Sequence, residues 1–250
     1  MNEIALDIET SGLASDDEVV SIAMYAEIDY ETDVIYQDVV TPEREILQAL
    51  QLVISNMTKG TILITFNGQN FKYGFDYPFL RTRLNKHGLD WPFAGIMHID
   101  LFPIIEKRWN TSIMPKPSLD RLKRKEQLVT VATALGLDLN PTNTLAVLSN
   151  SIRKHADEED IKSAIIETQD IKPIEINNLK GAYQIITGKD PGDMDGMESV
   201  RLWKQFKKTG DSSIMRRIGE YNLEDCKKTL ELYKICKRYC SQRDMQPEIL

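Results

Sequence analysis

The chain has 250 residues, of which 42% are hydrophobic and 28% charged. That is enough apolar material for one large domain, or one domain with a sizeable insertion, and it argues against disorder. A net charge of −7 excludes a protein that holds nucleic acid by bulk basic charge, but not one that grips a strand end through bound cations and a local basic rim.

Residues 4–8 read as a strand, and residues 19–25 and 34–40 are β-rich runs of an antiparallel meander. Thr41-Pro42 then opens a helix, with Thr41 as N-cap and Pro42 at the first helical position. Residues 61–66 form a buried strand ended by Asn67-Gly68. A second helix starts at Asp76 or Tyr77, carries Pro78 in its first turn and ends at His87-Gly88; residues 96–101 pass from strand to helix. The order β-β-β-α-β-α-β predicts a mixed sheet covered by helices. Residues 110–195 are polar and helical in character, and the segment from about 126 to 196 reads as an inserted helical subdomain. A long amphipathic helix over about 212–238 closes the chain, with Leu223, Leu230 and Leu232 facing the sheet.

The N-terminus enters its strand without a basic-then-apolar leader, and no apolar run reaches membrane-spanning length, so the expectation is a cytoplasmic protein. Cys226, Cys236 and Cys240, an odd number without knuckle spacing, are expected as reduced thiols.

Chemistry enters at Asp7-Ile8-Glu9-Thr10. Side chains two apart on a strand share a face, so Asp7 and Glu9 repel each other unless a cation lies between them. Taken alone, the pair also fits a solvated strand end. Phe75-Asp76 at a helix start and Tyr221-Asn222-Leu223-Glu224-Asp225 within a helix add acids from two further elements. Hard Mg²⁺ or Mn²⁺ prefers carboxylate oxygen, and a pair of such ions needs several acids converging from separate elements. Tyr221 lies one turn before Asp225 on the same helix face, where it serves either as a half-buried aromatic or as a phenol beside a metal-held carboxylate. Trp91, Trp109 and Trp203 admit base stacking or plain burial. Basic rims stand at residues 121–125, 201–208 and 216–217.

In this order the three acidic motifs resemble those of the DEDD exonuclease superfamily, in the tyrosine subclass found in proofreading domains of family B DNA polymerases and their stand-alone relatives. Glu220 occupies the place where the histidine subclass has its His. Ile64-Thr65-Phe66-Asn67-Gly68 and His98-Ile99-Asp100-Leu101-Phe102-Pro103 extend the likeness, which covers roughly residues 1–125 and 197–235. It implies a ribonuclease H-like α/β fold and removal of nucleotides from 3′ ends. It also implies Asp7, Glu9, Asp76 and Asp225 as ligands of two Mg²⁺ or Mn²⁺ ions, Tyr221 as the water-positioning residue, and Thr10, Leu13 and Asn67 as contacts to the terminal nucleotides. Relatives run Asn-Gly-x-x-Phe-Asp without interruption. Extra residues here are expected to separate the Asn67 loop from the Asp76 helix.

The reading is a single exonuclease domain acting on single-stranded 3′ ends, DNA favoured over RNA, and releasing 5′-mononucleotides. RNA 3′-end trimming, a non-catalytic binding module and an endonuclease are the alternatives. The insertion is expected to gate the cleft or to carry a protein partner or a second copy of the chain.

Overall fold

The computed structural model describes residues 2–26, 32–36, 42–69, 74–110, 112–113, 117–169, 174–175, 178–192, 194 and 196–250. They form two compact units, Met1–Thr111 with Asn177–Leu250, and Ser112–Ile176.

The larger unit is built on a sheet whose first strands are β1 (Glu3–Thr10), β2 (Val19–Tyr25) and β3 (Thr32–Tyr36). Helix α1 (Glu43–Ser55) leads to β4 (Ile62–Thr65), α2 (Asp76–Lys86), β5 (Met97–Asp100) and α3 (Leu101–Arg108). Pro42, expected inside α1, is its N-cap, because the extended backbone at ψ 156° precedes the first helical residue. Thr41 and residues 37–40 of the expected third strand lie outside the described residues.

The second unit contains β6 (Ser112–Ile113), α4 (Lys125–Ala134), α5 (Leu145–His155), α6 (Glu158–Thr168) and β7 (Ile174–Glu175). Leu128, Val131, Leu148, Ile152 and Ile165 give it a core of its own. The acidic run at residues 157–160 is a solvated helix start: Asp157 caps α6 by accepting from the Asp160 N–H at 2.9 Å. The chain then returns to the first unit through α7 (Leu179–Thr187), α8 (Gly196–Thr209), α9 (Ser212–Tyr239) and β8 (Glu248–Ile249).

The six-stranded sheet runs β3-β2-β1-β4-β5-β8. β4 is parallel to β1 and β5, and the remaining pairs are antiparallel. β1 is central and covered on both faces, which explains its near-continuous apolar sequence. Even-numbered Leu6 and Ile8 pack on Ile46, Leu47 and Leu50 of α1 and on Tyr77, Leu80 and Leu84 of α2. Odd-numbered Ala5 packs on the opposite side with Leu101 and Ile105 of α3 and Cys226, Leu230 and Tyr233 of α9. Asp7 and Glu9 belong by alternation to that second face.

Trp203 is core rather than a stacking platform, since it lies buried with Phe206, Ile214 and Ile218. The three cysteines are free. No helix among the described residues is long and apolar enough to cross a membrane.

Candidate metal centre and active site

The centre is assembled where α9 crosses the face of β1 that carries Asp7 and Glu9. Two polar contacts fix the helix on β2. Asn222 Nδ2 donates to Ser21 Oγ at 3.1 Å, and the Cys226 thiol donates to the Ala23 carbonyl at 3.3 Å. All four residues are buried. These anchors bracket Asp225 and follow Tyr221, so both candidate side chains are delivered to the sheet by one helix. One carboxylate oxygen from each of Asp7, Glu9 and Asp225 lies within 4.8 Å of the others.

Asp76 joins the same electrostatic cluster from the first turn of α2. It is 5% exposed, and its Oδ2 has no hydrogen-bond partner among the described residues. An orphaned buried carboxylate oxygen beside three other acids is what a cation would satisfy. Burial raises the Asp7 carboxyl well above the usual range, and Asp76, Glu9 and Asp225 push it further. Asp76 is raised likewise, by burial first and then by Asp100 and Glu9. Burial lifts Glu9 to about 8, partly offset by the buried Ser199 hydroxyl at its side and reinforced by Asp225. The donor set is oxygen only, which suits a hard divalent ion such as Mg²⁺ or Mn²⁺.

These shifts make metal-free stability depend on pH. Glu9 is raised, so between about pH 4.5 and about 8 the folded protein holds protons that the unfolded chain has released. Stability in EDTA should therefore fall as pH rises through that window. Thermal unfolding monitored by circular dichroism checks it: Tm should be higher near pH 5 than near pH 8 by several degrees, and saturating Mn²⁺ should remove the difference. A Tm that climbs with pH in EDTA would contradict the assignment.

Tyr221 lies against the Asp225 carboxylate. Burial, then Asp225 and Glu9, raise its phenol far above the ordinary value, so it remains a protonated hydrogen-bond donor. Lys180 lies 5.3 Å from the centre of its ring.

The Asn67 loop is held from behind by Asp100. That carboxylate accepts from the Asn67 N–H at 2.8 Å, the Gln69 N–H at 3.0 Å and the Phe102 N–H at 3.1 Å. It thus caps α3 and pins the loop after β4 at once. Asn67 takes a left-handed φ of 66°, a conformation Asn adopts more readily than most residues. Gly68 follows because a Cβ there would lie 2.3 Å from Thr65 Oγ1. Thr65 Oγ1 is itself bonded to His98 Nε2 at 2.9 Å, and burial lowers that imidazole to about 4, so the ring is neutral. The expected separation of Asn67 from the Asp76 helix does not occur. The Phe75 N–H donates to the Asn67 carbonyl at 2.9 Å and the Tyr77 N–H to the Gly68 carbonyl at 3.0 Å, so the loop after β4 and the start of α2 are fastened to each other directly. Residues 70–73 lie outside the described residues.

The other two expected contacts differ in character. Thr10 is buried, and its hydroxyl donates to the Gly12 carbonyl at 2.6 Å, next to a bulge between Glu9 and Thr10. Leu13 is 75% exposed at the tip of the following loop.

The sequence reading missed three features. Ser199 gives no motif. Lys228, paired with Asp225, is one of two adjacent lysines that sequence alone cannot tell apart. Glu43 also escaped notice: its buried carboxylate accepts from the Val19 N–H at 2.7 Å and Arg83 Nε at 2.8 Å, and bonds His87 Nε2 at 2.7 Å. The signal available was an acid in the first turn of an otherwise apolar helix face.

Comparison with known proteins agrees with this geometry. DNA polymerase 1 of Pyrococcus abyssi is 32% identical over a 98-residue alignment that covers 31% of this chain and 12% of the polymerase. The same protein from Pyrococcus abyssi strain GE5 / Orsay gives the same figures. The chain therefore aligns with about one eighth of the length of the curated relatives it matches. The RNase H superfamily model matches residues 4–147 and 151–237. With acids meeting from β1 and α9, and Asp76 of α2 coupled to them, over a mixed, helix-covered sheet, and with that match spanning most of its length, the chain belongs to the RNase H superfamily.

Proposed function

We propose that this protein is a metal-dependent 3′→5′ exonuclease that releases 5′-mononucleotides from single-stranded DNA ends. The observation that carries the reading is the meeting of Asp7, Glu9 and Asp225, with Asp76 coupled to them, beside a phenol that stays protonated. Asp7, Glu9, Asp76 and Asp225 are the residues that would hold two Mg²⁺ or Mn²⁺ ions. Such ions, when bound, polarise the phosphodiester and make a hydroxide nucleophile available near neutral pH.

The chain's own groups do the positioning. Tyr221 donates a hydrogen bond to the attacking water and fixes its approach in line with the leaving oxygen. Asn67, presented by the loop that Asp100 pins, contacts the terminal nucleotide. Leu13 supplies exposed apolar surface for a base face, and Thr10 shapes the turn beneath it. The preference for DNA rests on the partial likeness to a Pyrococcus abyssi protein named DNA polymerase 1. The helical segment at about 126–196 is read as an insertion into this one exonuclease domain.

A gel time course on 5′-labelled single-stranded DNA and matched RNA tests this, in Mn²⁺ or Mg²⁺ and in EDTA. A metal-dependent ladder that shortens one nucleotide at a time supports the proposal, and the faster strand names the substrate. A gel shift with no shortening in either metal would favour a binding module instead. Cutting of a circular strand would favour an endonuclease. In the same assay Tyr221→Phe should keep its fold and its Mn²⁺ affinity but cleave ~10–10³-fold more slowly, the range for losing one positioning contact. Unchanged turnover would remove the phenol from the mechanism.

A further inference from the structure

α9 carries two consecutive lysines whose surroundings differ. Lys227 pairs with Glu224 and is 40% exposed. Lys228, one turn after Asp225, places its ammonium 2.7 Å from Asp225 Oδ1, with 11% of the lysine side chain and 9% of the aspartate exposed. It also lies 6.0 Å from the centre of the Tyr221 ring and favours the charged form of Asp7. An ammonium that sheltered requires an anion, and the anion it uses is a member of the acidic centre itself. The helix dictates this: a side chain at i+3 reaches the carboxylate at i without bending the backbone.

An oxygen engaged by an ammonium is not simultaneously a good ligand for a divalent ion, because two cations on one lone-pair region repel each other. The lysine has somewhere else to go. A cavity of about 420 Å³ opens beside Tyr221, and Lys228, Glu220 and Glu224 all line it. Four rotatable bonds let the ammonium swing there without moving α9.

We propose that Lys228 is a resident counter-ion that competes with the divalent ion for Asp225: it holds the acids together while no ion is bound and yields Asp225 when one binds. It therefore sets the ion affinity of the centre. This inference rests on the reading that the carboxylates hold divalent metal, and it does not require that the protein cut DNA.

The test uses the full chain, with Mn²⁺ binding followed by electron paramagnetic resonance and thermal unfolding measured in EDTA. Lys228→Met should bind Mn²⁺ more tightly, on the order of tenfold, because one positive charge no longer opposes the ion. It should also melt lower than wild type in EDTA and gain more from added Mn²⁺. Lys228→Arg, which keeps the charge, should stay near wild type in both. Equal or weaker Mn²⁺ binding by Lys228→Met would overturn the inference while leaving the metal centre intact. Absence of Mn²⁺ binding in wild type would overturn both together. Should the methionine variant fold poorly without metal, wild type alone decides. Its Lys228 ammonium signal in nitrogen-15 spectra should be slow to exchange in EDTA and be lost or shifted on adding Mg²⁺; an unmoved signal overturns the inference.

Discussion

Asp7→Ala is expected to abolish metal-dependent cleavage, by roughly 10³-fold or more, while raising the melting temperature of the metal-free protein. Both effects have one cause. Asp7 stands on the central strand where its carboxyl is raised by burial and by three neighbouring acids. Removing it deprives the proposed ions of a ligand and relieves crowded negative charge in their absence. The gain in EDTA should be on the order of 1 kcal/mol, or about 2–4 °C for a chain of this size. Paired activity assays and melting curves check it. A metal-free Tm that falls would make Asp7 a structural residue.

Glu43→Ala is expected to be the most destabilising single change away from the centre, by about 3–5 kcal/mol, the usual range for breaking a buried ion pair from one side. Burial alone would raise the Glu43 carboxyl, but hydrogen bonds from Arg83, the Val19 N–H and His87 outweigh it and hold it below the ordinary value. Alanine strands the Arg83 guanidinium, 8% exposed, and orphans the N–H that starts β2. The contacts matter beyond stability because Arg83 and Lys86 also reach the Ser15 carbonyl in the loop after β1. One carboxylate thus ties α1, α2 and the Leu13 loop together. Urea unfolding should show the loss, and Glu43→Ala with Arg83→Met should recover part of it, since the double variant leaves no unpaired buried charge. Additive losses would argue against coupling.

That Asp7 and Glu9 share one face, and Tyr221 and Asp225 another, could be read from sequence because spacing encodes geometry, whereas Asp76 came in only through the motif resemblance. Two residues apart on a strand, and four apart on a helix, each fix a shared face before any tertiary contact is known. The strands and the long final helix were legible for the same reason of period. What escaped depends on encounters between distant segments. Glu43 meets Arg83 forty residues away, and Asn222 meets Ser21 two hundred and one away. Lys227 and Lys228 differ only in which way the helix turns them. The Asn67 loop shows the converse. Counting residues suggested a gap between Asn67 and Asp76, whereas two backbone hydrogen bonds close it.

Those two bonds have a consequence for how this region tolerates change. Because Asn67 and Gly68 are clasped directly to Phe75 and Tyr77, the start of α2 is held by the clasp and not by the number of residues between. Lengthening a flexible segment whose ends are held costs little, about 0.6 kcal/mol for each doubling of its length. None of that cost is transmitted to the start of α2. Inserting residues there should therefore leave the start of α2 in place, whereas breaking the clasp should not. Between Asn67 and Asp76, distance along the chain and distance in space are thus uncoupled.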